Sequence, residues 1–319
     1  KRDREQVLER REQAMLFLNR RGYAGFVSCR ACGHVMKCPH CDVSLHAHNN
    51  GKLICHYCGY EQNHVKICPN CGSKYISGFK AGTQKIEELV KKEFPKARIL
   101  RMDFDTTRTK DSYEKILASF SRHEADILVG TQMIVKGHDF PDVTLVGVIA
   151  ADLSLNMDDY HCGERTFQLL TQAVGRAGRG AKPGRAVIQT YQPEHYSIQA
   201  AATQDYGKFY KEEMSYRMLM DYPPAAHMMT VFGACQDEEL LKKAMYYIEV
   251  FIRRVSPKEE LHMIGPAAAS VGKVKDVYRQ VLHLKHVDMA FLTAVREKLE
   301  QYIEINSGFR KIYIQFDMS

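Results

Sequence analysis

The sequence lacks a G-x4-G-K-[ST] loop and a D-E-x-H run. The first cradles nucleotide phosphates and places Mg²⁺, and the second holds the metal and the attacking water, so neither device is expected in this chain. Long apolar runs are missing as well. None approaches the roughly 20 residues of a membrane span, and nothing resembles a secretory signal, so a cytoplasmic protein with no membrane partner is expected. There is no initial methionine: Lys1 opens a charged helix read over Lys1 to Gln13, and the chain is expected to be part of a longer protein. A large excess of one charge is absent. The formal net charge is +7, and two dications held by eight thiolates would subtract four and leave +3. Global charge therefore does not argue for nucleic acid, and any basic face must be local. With 45% hydrophobic and 26% charged residues over 319 positions, the composition is that of a globular protein with room for roughly two or three domains.

What the sequence does have is cysteine in one place. Eight of its ten cysteines lie between Cys29 and Cys71, as Cys29-x2-Cys32, Cys38-x2-Cys41, Cys55-x2-Cys58 and Cys68-x2-Cys71. A Cys-x2-Cys turn aims two sulfurs at one ion, and four thiolates in a tetrahedron suit structural Zn²⁺, with no position left open for water. Disulfides are the weaker reading, because a two-residue gap strains the bridge and no oxidising compartment is indicated. An iron–sulfur cluster is a second rival. Gly, Pro and aromatic fillers (Cys32-Gly33, Cys38-Pro39, Cys58-Gly59, Cys68-Pro69, Cys71-Gly72) favour zinc. The inner pairs flank a hairpin-like run, Val43 to Leu53, with Asn49-Asn50-Gly51 at its tip. This favours nesting, with inner pairs on one ion and outer pairs on the other; sequential and interleaved pairings stay open. The neighbouring His34, His40, His46, His48, His56 and His64 read as surface residues or as groups behind the ligands. Cys162 and Cys235 read as small buried residues.

The remainder alternates. Ala14-Met15-Leu16-Phe17-Leu18 reads as a buried parallel strand, and Tyr75 to Phe79 as a return to the same core. Then follow a helix from Gly82-Thr83 to about Glu93, a strand Arg98 to Asp103, a helix Asp111 to Phe120 capped by Asp111 or Ser112, strands Asp126 to Gly130 and Val143 to Ala150, a helix Glu164 to Ala173 and a strand Ala186 to Tyr191. Such alternation predicts a parallel sheet with helices on both faces, with Thr131 and Asp152 at the C-terminal strand ends where ligands bind. A helical connector, about Pro193 to Met220, stops at Tyr222-Pro223-Pro224. The last stretch reads β-α-β-β-α-β: Met228 to Cys235, Glu238 to Val255, Leu261 to Ile264, Val277 to Leu284, His286 to Tyr302 and Lys311 to Phe316. Between its middle strands a basic loop is expected, Gly265 to Asp276, with Lys273 and Lys275; these lysines, Arg279 and Gln280 read first as solvated residues.

Two further stretches carry chemistry. Gln172-Ala173-Val174-Gly175-Arg176-Ala177-Gly178-Arg179 places two arginines three apart, spaced by glycines, just after a helix. Such forks hold phosphate bidentately, and offered across a cleft to a γ-phosphate they act as arginine fingers. Gly130-Thr131-Gln132-Met133-Ile134-Val135-Lys136-Gly137-His138-Asp139-Phe140 is a strand end and polar loop suited to a phosphate backbone. A basic turn after a helix and a surface Lys136 are the bland alternatives, as are loop carboxylates for Asp152, Asp158 and Asp159.

Gly130 to Phe140 resembles motif V of superfamily 2 helicases, and Gln172 to Arg179 resembles motif VI. With eight zinc-spaced cysteines inserted in that lobe, the chain resembles the PriA family of replication-restart helicases over essentially its whole length. Phe17-Leu18-Asn19-Arg20-Arg21-Gly22-Tyr23, Gly82-Thr83-Gln84-Lys85 and Tyr222-Pro223-Pro224 add to the resemblance. It implies an α/β fold: a RecA-like helicase second lobe with an inserted two-zinc module, followed by a small ferredoxin-like α+β domain. The boundaries expected are 1–28 for the linker helix and first strand, 29–72 for the zinc module, 73–192 for the rest of the lobe, 193–225 for the connector and 226–319 for the last domain.

The resemblance further implies the C-terminal part of an ATP-dependent 3′-to-5′ DNA helicase, monomeric, that acts on forked or single-stranded DNA and meets single-strand-binding protein and primosome proteins. ATP and Mg²⁺ would serve the whole protein, and this chain alone would not hydrolyse ATP. Arg176 and Arg179 are the implied fingers, with Gln172 near the nucleotide. Gly137 and Asp139 would border it, and Thr131, Gln132 and Lys136 would meet the DNA backbone. Cys29, Cys32, Cys38, Cys41, Cys55, Cys58, Cys68 and Cys71 would hold two Zn²⁺. Two other readings stand beside this one: a zinc-containing interaction module without a motor role, and the second lobe of another superfamily 2 motor, RecG-like or RNA-directed.

Overall fold

The computed structural model describes residues 10, 12–19, 27–29, 31–32, 34–41, 43–47, 51–55, 58–78, 82–107, 109–135, 139–155, 159–256 and 261–319. Most of the expected N-terminal helix lies outside them. In chain order the described strands are β1 Gln13–Leu18, β2 Val27–Cys29, β3 His46–Ala47, β4 Lys52–Ile54, β5 Glu61–Asn63, β6 Ile76–Gly78, β7 Ile99–Met102, β8 Ile127–Gly130, β9 Val143–Ile149, β10 Arg185–Ile188, β11 His227–Cys235, β12 His262–Val274, β13 Val277–His286 and β14 Tyr313–Met318. The α-helices are α1 Thr83–Glu93, α2 Lys110–Ser121, α3 Cys162–Val174, α4 Tyr196–Thr203, α5 Tyr206–Leu219, α6 Glu238–Val255 and α7 Met289–Ile305. The chain divides into two compact units, Lys1–Gly25 with Lys80–Glu213, and Phe26–Phe79 with Met214–Ser319.

The first unit is a parallel sheet in the order β10-β9-β1-β8-β7. Its middle strand β1 is buried at all six positions. Successive side chains point to opposite faces. Ala14 and Leu16 pack with Ile127, Val129 and Leu145 against Val90 and Phe94 of the α1 region. Met15 and Phe17 pack with Leu128, Val146 and Val148 against Phe120 of α2 and Leu170 of α3. A strand covered on both faces must be apolar throughout, which is why Ala14 to Leu18 has no polar residue. Burying each large side chain contributes about 1.5–3 kcal/mol. Helix α2 starts one residue earlier than expected, with Thr109 as N-cap, and Asp111 falls in its first turn, where a carboxylate suits the helix dipole.

At the C-terminal strand ends two buried polar groups fasten the loops. Asn19, 3% exposed, donates to the Ala151 carbonyl and the Ser154 hydroxyl, both at 2.8 Å. The Asp152 carboxylate accepts from the Thr190 hydroxyl at 2.5 Å and from the backbone N–H groups of Tyr191 and Gln192 at 3.1 and 3.2 Å. Burial alone would raise the Asp152 pKa, but these donors more than offset it and hold it below the usual value.

The second unit holds the cysteine module and the C-terminal domain. The module has a β3-β4-β5 meander and a β2-β6 pair. Tyr75 to Phe79 is expected from the sequence to return to the lobe's core; Phe79 lies outside the described residues, and Ile76–Gly78 instead forms β6, which pairs antiparallel with β2, Cys29 opposite Ile76, with Tyr75 74% exposed. The lobe offers it no place beside β1, whose neighbours are β8 and β9. The C-terminal domain is an antiparallel sheet, β12-β13-β11-β14, whose core joins Leu241 and Ile248 of α6 to Leu292 and Leu299 of α7. Here the expected basic loop proves to be strand: β12 continues to Val274, and only Lys275 and Asp276 turn. Its edge position and its register shifts after Ile264 and Ala268 accommodate Pro266 and the small residues that made it read as a loop.

Candidate zinc centres and phosphate-binding loops

The four Cys-x2-Cys pairs close into two clusters, Cys29, Cys32, Cys68 and Cys71, and Cys38, Cys41, Cys55 and Cys58. Within each, the sulfurs lie within 4.8 Å of one another. Cys29 and Cys71 are 3.6 Å apart, Cys32 and Cys68 3.7 Å, and Cys38 and Cys58 3.6 Å. This is the nested arrangement. β2 and β6 bring the outer pairs together, and the β3-β4-β5 meander the inner ones. Knuckle amides point at the sulfurs: His40 N–H to Cys38 and Tyr60 N–H to Cys58, both at 3.4 Å.

The donor set fits Zn²⁺. The His34 backbone N–H and the Asn70 amide bring the Cys32 thiol down to about 6, whereas burial and neighbouring thiols push Cys38 up to about 12. Four crowded thiolates repel one another, and a dication relieves much of that repulsion. Among the described residues both clusters consist of cysteine alone. The two sites differ in exposure: Cys32 and Cys71 of the outer site are exposed, whereas Cys38, Cys41 and Cys55 of the inner site are buried.

The arginine loop is shaped by Gly178. Its φ is +72°, and its N–H donates to the Val143 carbonyl at 2.9 Å, folding the loop back on the start of β9. A Cβ there would lie 2.3 Å from the Gly184 nitrogen, so only glycine fits. Arg179 then donates its Nε–H to the Gly175 carbonyl at 2.7 Å and reaches Asp139 at 3.5 Å. Burial and the like charge of Arg179 lower the Arg176 pKa, with Asp139 opposing. Gln172 is exposed in the last turn of α3.

Thr131 and Gln132 sit at the other end of the strands, where β8 runs into a 3-10 turn, Gln132–Val135. The seven-residue β9 separates the two loop regions by about 20 Å. Thus the structure gathers Asp139, Arg176 and Arg179 but not Thr131 and Gln132 with them. Lys136, Gly137 and Asp158 lie outside the described residues. Asp159 accepts from His161 N–H at 2.9 Å and pairs with Arg165, and so fastens the start of α3. Arg279 stands 5.9 Å from the Phe232 ring on the C-terminal sheet. Asn19 and Gly178 appeared in the sequence only inside longer motifs, because hydrogen bonds reaching across the sheet leave no local spacing to read.

Three family descriptions match the chain: "Helicase conserved C-terminal domain" over residues 73–181, "PriA DNA helicase Cys-rich region (CRR) domain" over 38–62, and "Primosomal protein N C-terminal domain" over 218–319. Proteins named Replication restart protein PriA are similar over nearly all of it. That of Bacillus subtilis (strain 168) is 44% identical over 317 residues, 99% of this chain and 39% of the relative. That of Synechocystis is 43% identical over 92% of this chain and 36% of the relative, and that of Chlamydia trachomatis 39% over 88% and 38%. The chain spans about two fifths of the length of these relatives. Among the described residues, no helix is long and apolar enough to cross a membrane.

Proposed function

We propose that this chain, which carries the C-terminal domain set of the PriA family of replication restart proteins, is the second motor lobe, zinc module and partner-binding domain of an ATP-dependent 3′-to-5′ DNA helicase. The observation that carries this reading is the loop that Gly178 holds, with Arg179 beside Asp139 and Arg176 in the same turn. A guanidinium steadied by a long ion pair is ordered yet able to exchange its carboxylate for a phosphate. ATP with Mg²⁺, bound mainly by the part of the protein that precedes this chain, would supply the phosphoryl transfer that drives movement.

Arg176 and Arg179 then act as the fingers that stabilise charge on the transferring group. Gln172, Asp139 and Gly137 border the nucleotide. Thr131, Gln132 and Lys136 meet the DNA backbone, where contacts position a strand without reading it. The cysteines hold Zn²⁺ structurally and keep the module rigid beside the strands. Forked or single-stranded DNA, single-strand-binding protein and primosome proteins are the partners, and the protein works as a cytoplasmic monomer.

The test is DNA-stimulated ATP hydrolysis by this chain alone and by the full-length protein with and without Arg179→Ala. Silence alone, with hydrolysis in the full-length protein that depends on Arg179, supports the split motor. Hydrolysis by this chain alone, or an indifferent Arg179→Ala, overturns it.

A further inference from the structure

The tip of the β12–β13 hairpin is poorly suited to being a turn by itself. A two-residue turn with φ > 0 at both central positions is met most easily by Asn-Gly or Asp-Gly. Here Lys275 and Asp276 occupy those positions, at φ of 52° and 58°. A lysine in that region is strained, so its surroundings must hold it.

Those surroundings are the inner four-cysteine site. The Lys275 N–H donates to the Cys41 sulfur at 3.3 Å. The Asp276 N–H donates to the His40 carbonyl at 2.9 Å, and its carboxylate meets His40 Nδ1 at 2.7 Å. The Lys273 ammonium reaches the Pro39 carbonyl at 3.4 Å and the Asp276 carboxylate at 3.1 Å. Behind the turn, Val274 is 7% exposed and Val271 partly buried in the module's apolar cluster, which contains Leu45 and Leu53 and cysteines of both sites; the hydrogen bonds of the tip given above go to the inner site's knuckle, Pro39 to Cys41.

The division of donors within the site is informative. Cys38 and Cys58 receive amides from their own knuckles, but Cys41 receives one from a residue 234 positions away. A thiolate that ligates zinc is held in place and tuned by such hydrogen bonds. The outer site differs: Cys32 accepts from Asn70, a residue of the module itself, at 3.6 Å.

We propose that the tip of the β12–β13 hairpin is an integral part of the inner zinc site, so that zinc binding there and seating of the C-terminal domain on the cysteine module form one linked equilibrium, whereas the outer site is independent of it. Whatever binds only the seated state stabilises seating, and the linkage is reciprocal. A partner that shifts the hairpin therefore changes how tightly the inner ion is held. The proposal rests on reading both clusters as zinc sites, and the metal content of the wild type tests that reading separately: two ions per chain are required.

The experiment uses the zinc-loaded full-length protein and a chromogenic chelator. In Val274→Asp, a charge placed in the apolar cluster unseats the tip, and far-ultraviolet dichroism verifies that the variant is folded. One of the two ions should then leave at least about tenfold faster than in the wild type, and the other at the wild-type rate. Asp276→Ala, which keeps the Lys275 amide and loses the His40 contact, should show a smaller acceleration of the same ion. In the wild type, stripping zinc should speed hydrogen exchange of the amides of 273–278 by at least about tenfold while β11 and β14 stay protected. A folded Val274→Asp that releases both ions at wild-type rates overturns the linkage. So do hairpin amides that exchange equally with and without zinc, a measurement that needs no variant.

Discussion

Replacing Gly178 by alanine separates two costs that the arginine loop imposes. At φ +72° an L-residue is disfavoured by about 1–2 kcal/mol. The new Cβ would also lie 2.3 Å from the Gly184 nitrogen and 2.6 Å from its Cα, and backbone atoms cannot swing aside as a flexible side chain does. Overlap of this kind typically costs about 1–3 kcal/mol once the surroundings relax. Together the change is of the order of 3 kcal/mol. Gly180 is the internal control. Its backbone is not left-handed, yet a Cβ there would meet the Pro141 carbonyl oxygen at 2.3 Å, so Gly180→Ala bears the overlap cost alone.

Scanning calorimetry of the zinc-loaded chain should show the first unit's midpoint lowered by roughly 10 °C for Gly178→Ala and by about half as much for Gly180→Ala, at about 2–4 °C per kcal/mol. The Gly178 N–H bond to Val143 anchors the loop that presents Arg179, so Gly178→Ala in the full-length protein should also lose DNA-stimulated ATP hydrolysis while binding DNA normally. A midpoint within about 1 °C of wild type would show that the loop accommodates a side chain, and the argument from glycine geometry would fail.

Three further outcomes are expected. Arg179→Ala in the full-length protein should lower DNA-stimulated hydrolysis by about 10³-fold or more, the usual value of an arginine finger, with DNA affinity nearly unchanged in a binding titration. Asp152→Ala should cost about 2–3 kcal/mol in urea unfolding, because it removes the buried carboxylate that accepts from the Thr190 hydroxyl and from the Tyr191 and Gln192 N–H groups. Since the Asp152 pKa is lowered by folding, its stabilisation is complete above the ordinary carboxylate pKa of about 3.9 and lost as pH falls through the lower folded value, so the wild-type advantage over Asp152→Ala should vanish in acid. Metal analysis should find two zinc ions per chain, one for each cluster, and acid or a strong chelator should release them with loss of the β2–β6, β3–β4 and β4–β5 pairings, measured by hydrogen exchange.

How much of this was legible depended on how far each constraint reaches along the chain. The strand Ala14 to Leu18, the helix from Thr83 and the helix Glu238–Val255 follow from local periodicity and end signals, and the structure has them there. The nesting of the cysteines was favoured by their spacing and by a hairpin between the inner pairs, and the two clusters decide it against sequential and interleaved pairing. Stretches whose conformation is set from a distance were misread. β12 has Gly265-Pro266 and a run of small residues, a loop by composition, yet pairing with β13 makes it a strand. Tyr75 to Phe79 looked like a return to the core of the lobe, but the outer cysteine site, which joins Cys29 and Cys32 to Cys68 and Cys71, commits Ile76–Gly78 to β2.

The two loops of the first unit make the same point for function. Motif spacing identified Thr131 and Arg179 as polar or basic loop residues without revealing that they lie at opposite ends of the sheet. Only the parallel register of β8, β1 and β9 shows that, and it has a mechanistic consequence. On the proposed function, a residue that meets nucleotide at one end would influence one that meets DNA at the other through the buried strands and the fastened loops, not by direct touch. Asn19 sits at this junction, following β1 and bonding to Ala151 and Ser154. Asn19→Ala should therefore weaken the DNA stimulation of hydrolysis more than the DNA-independent rate in the full-length protein. Equal loss of both rates would mean that Asn19 only stabilises the fold, and that coupling between the two ends takes another route.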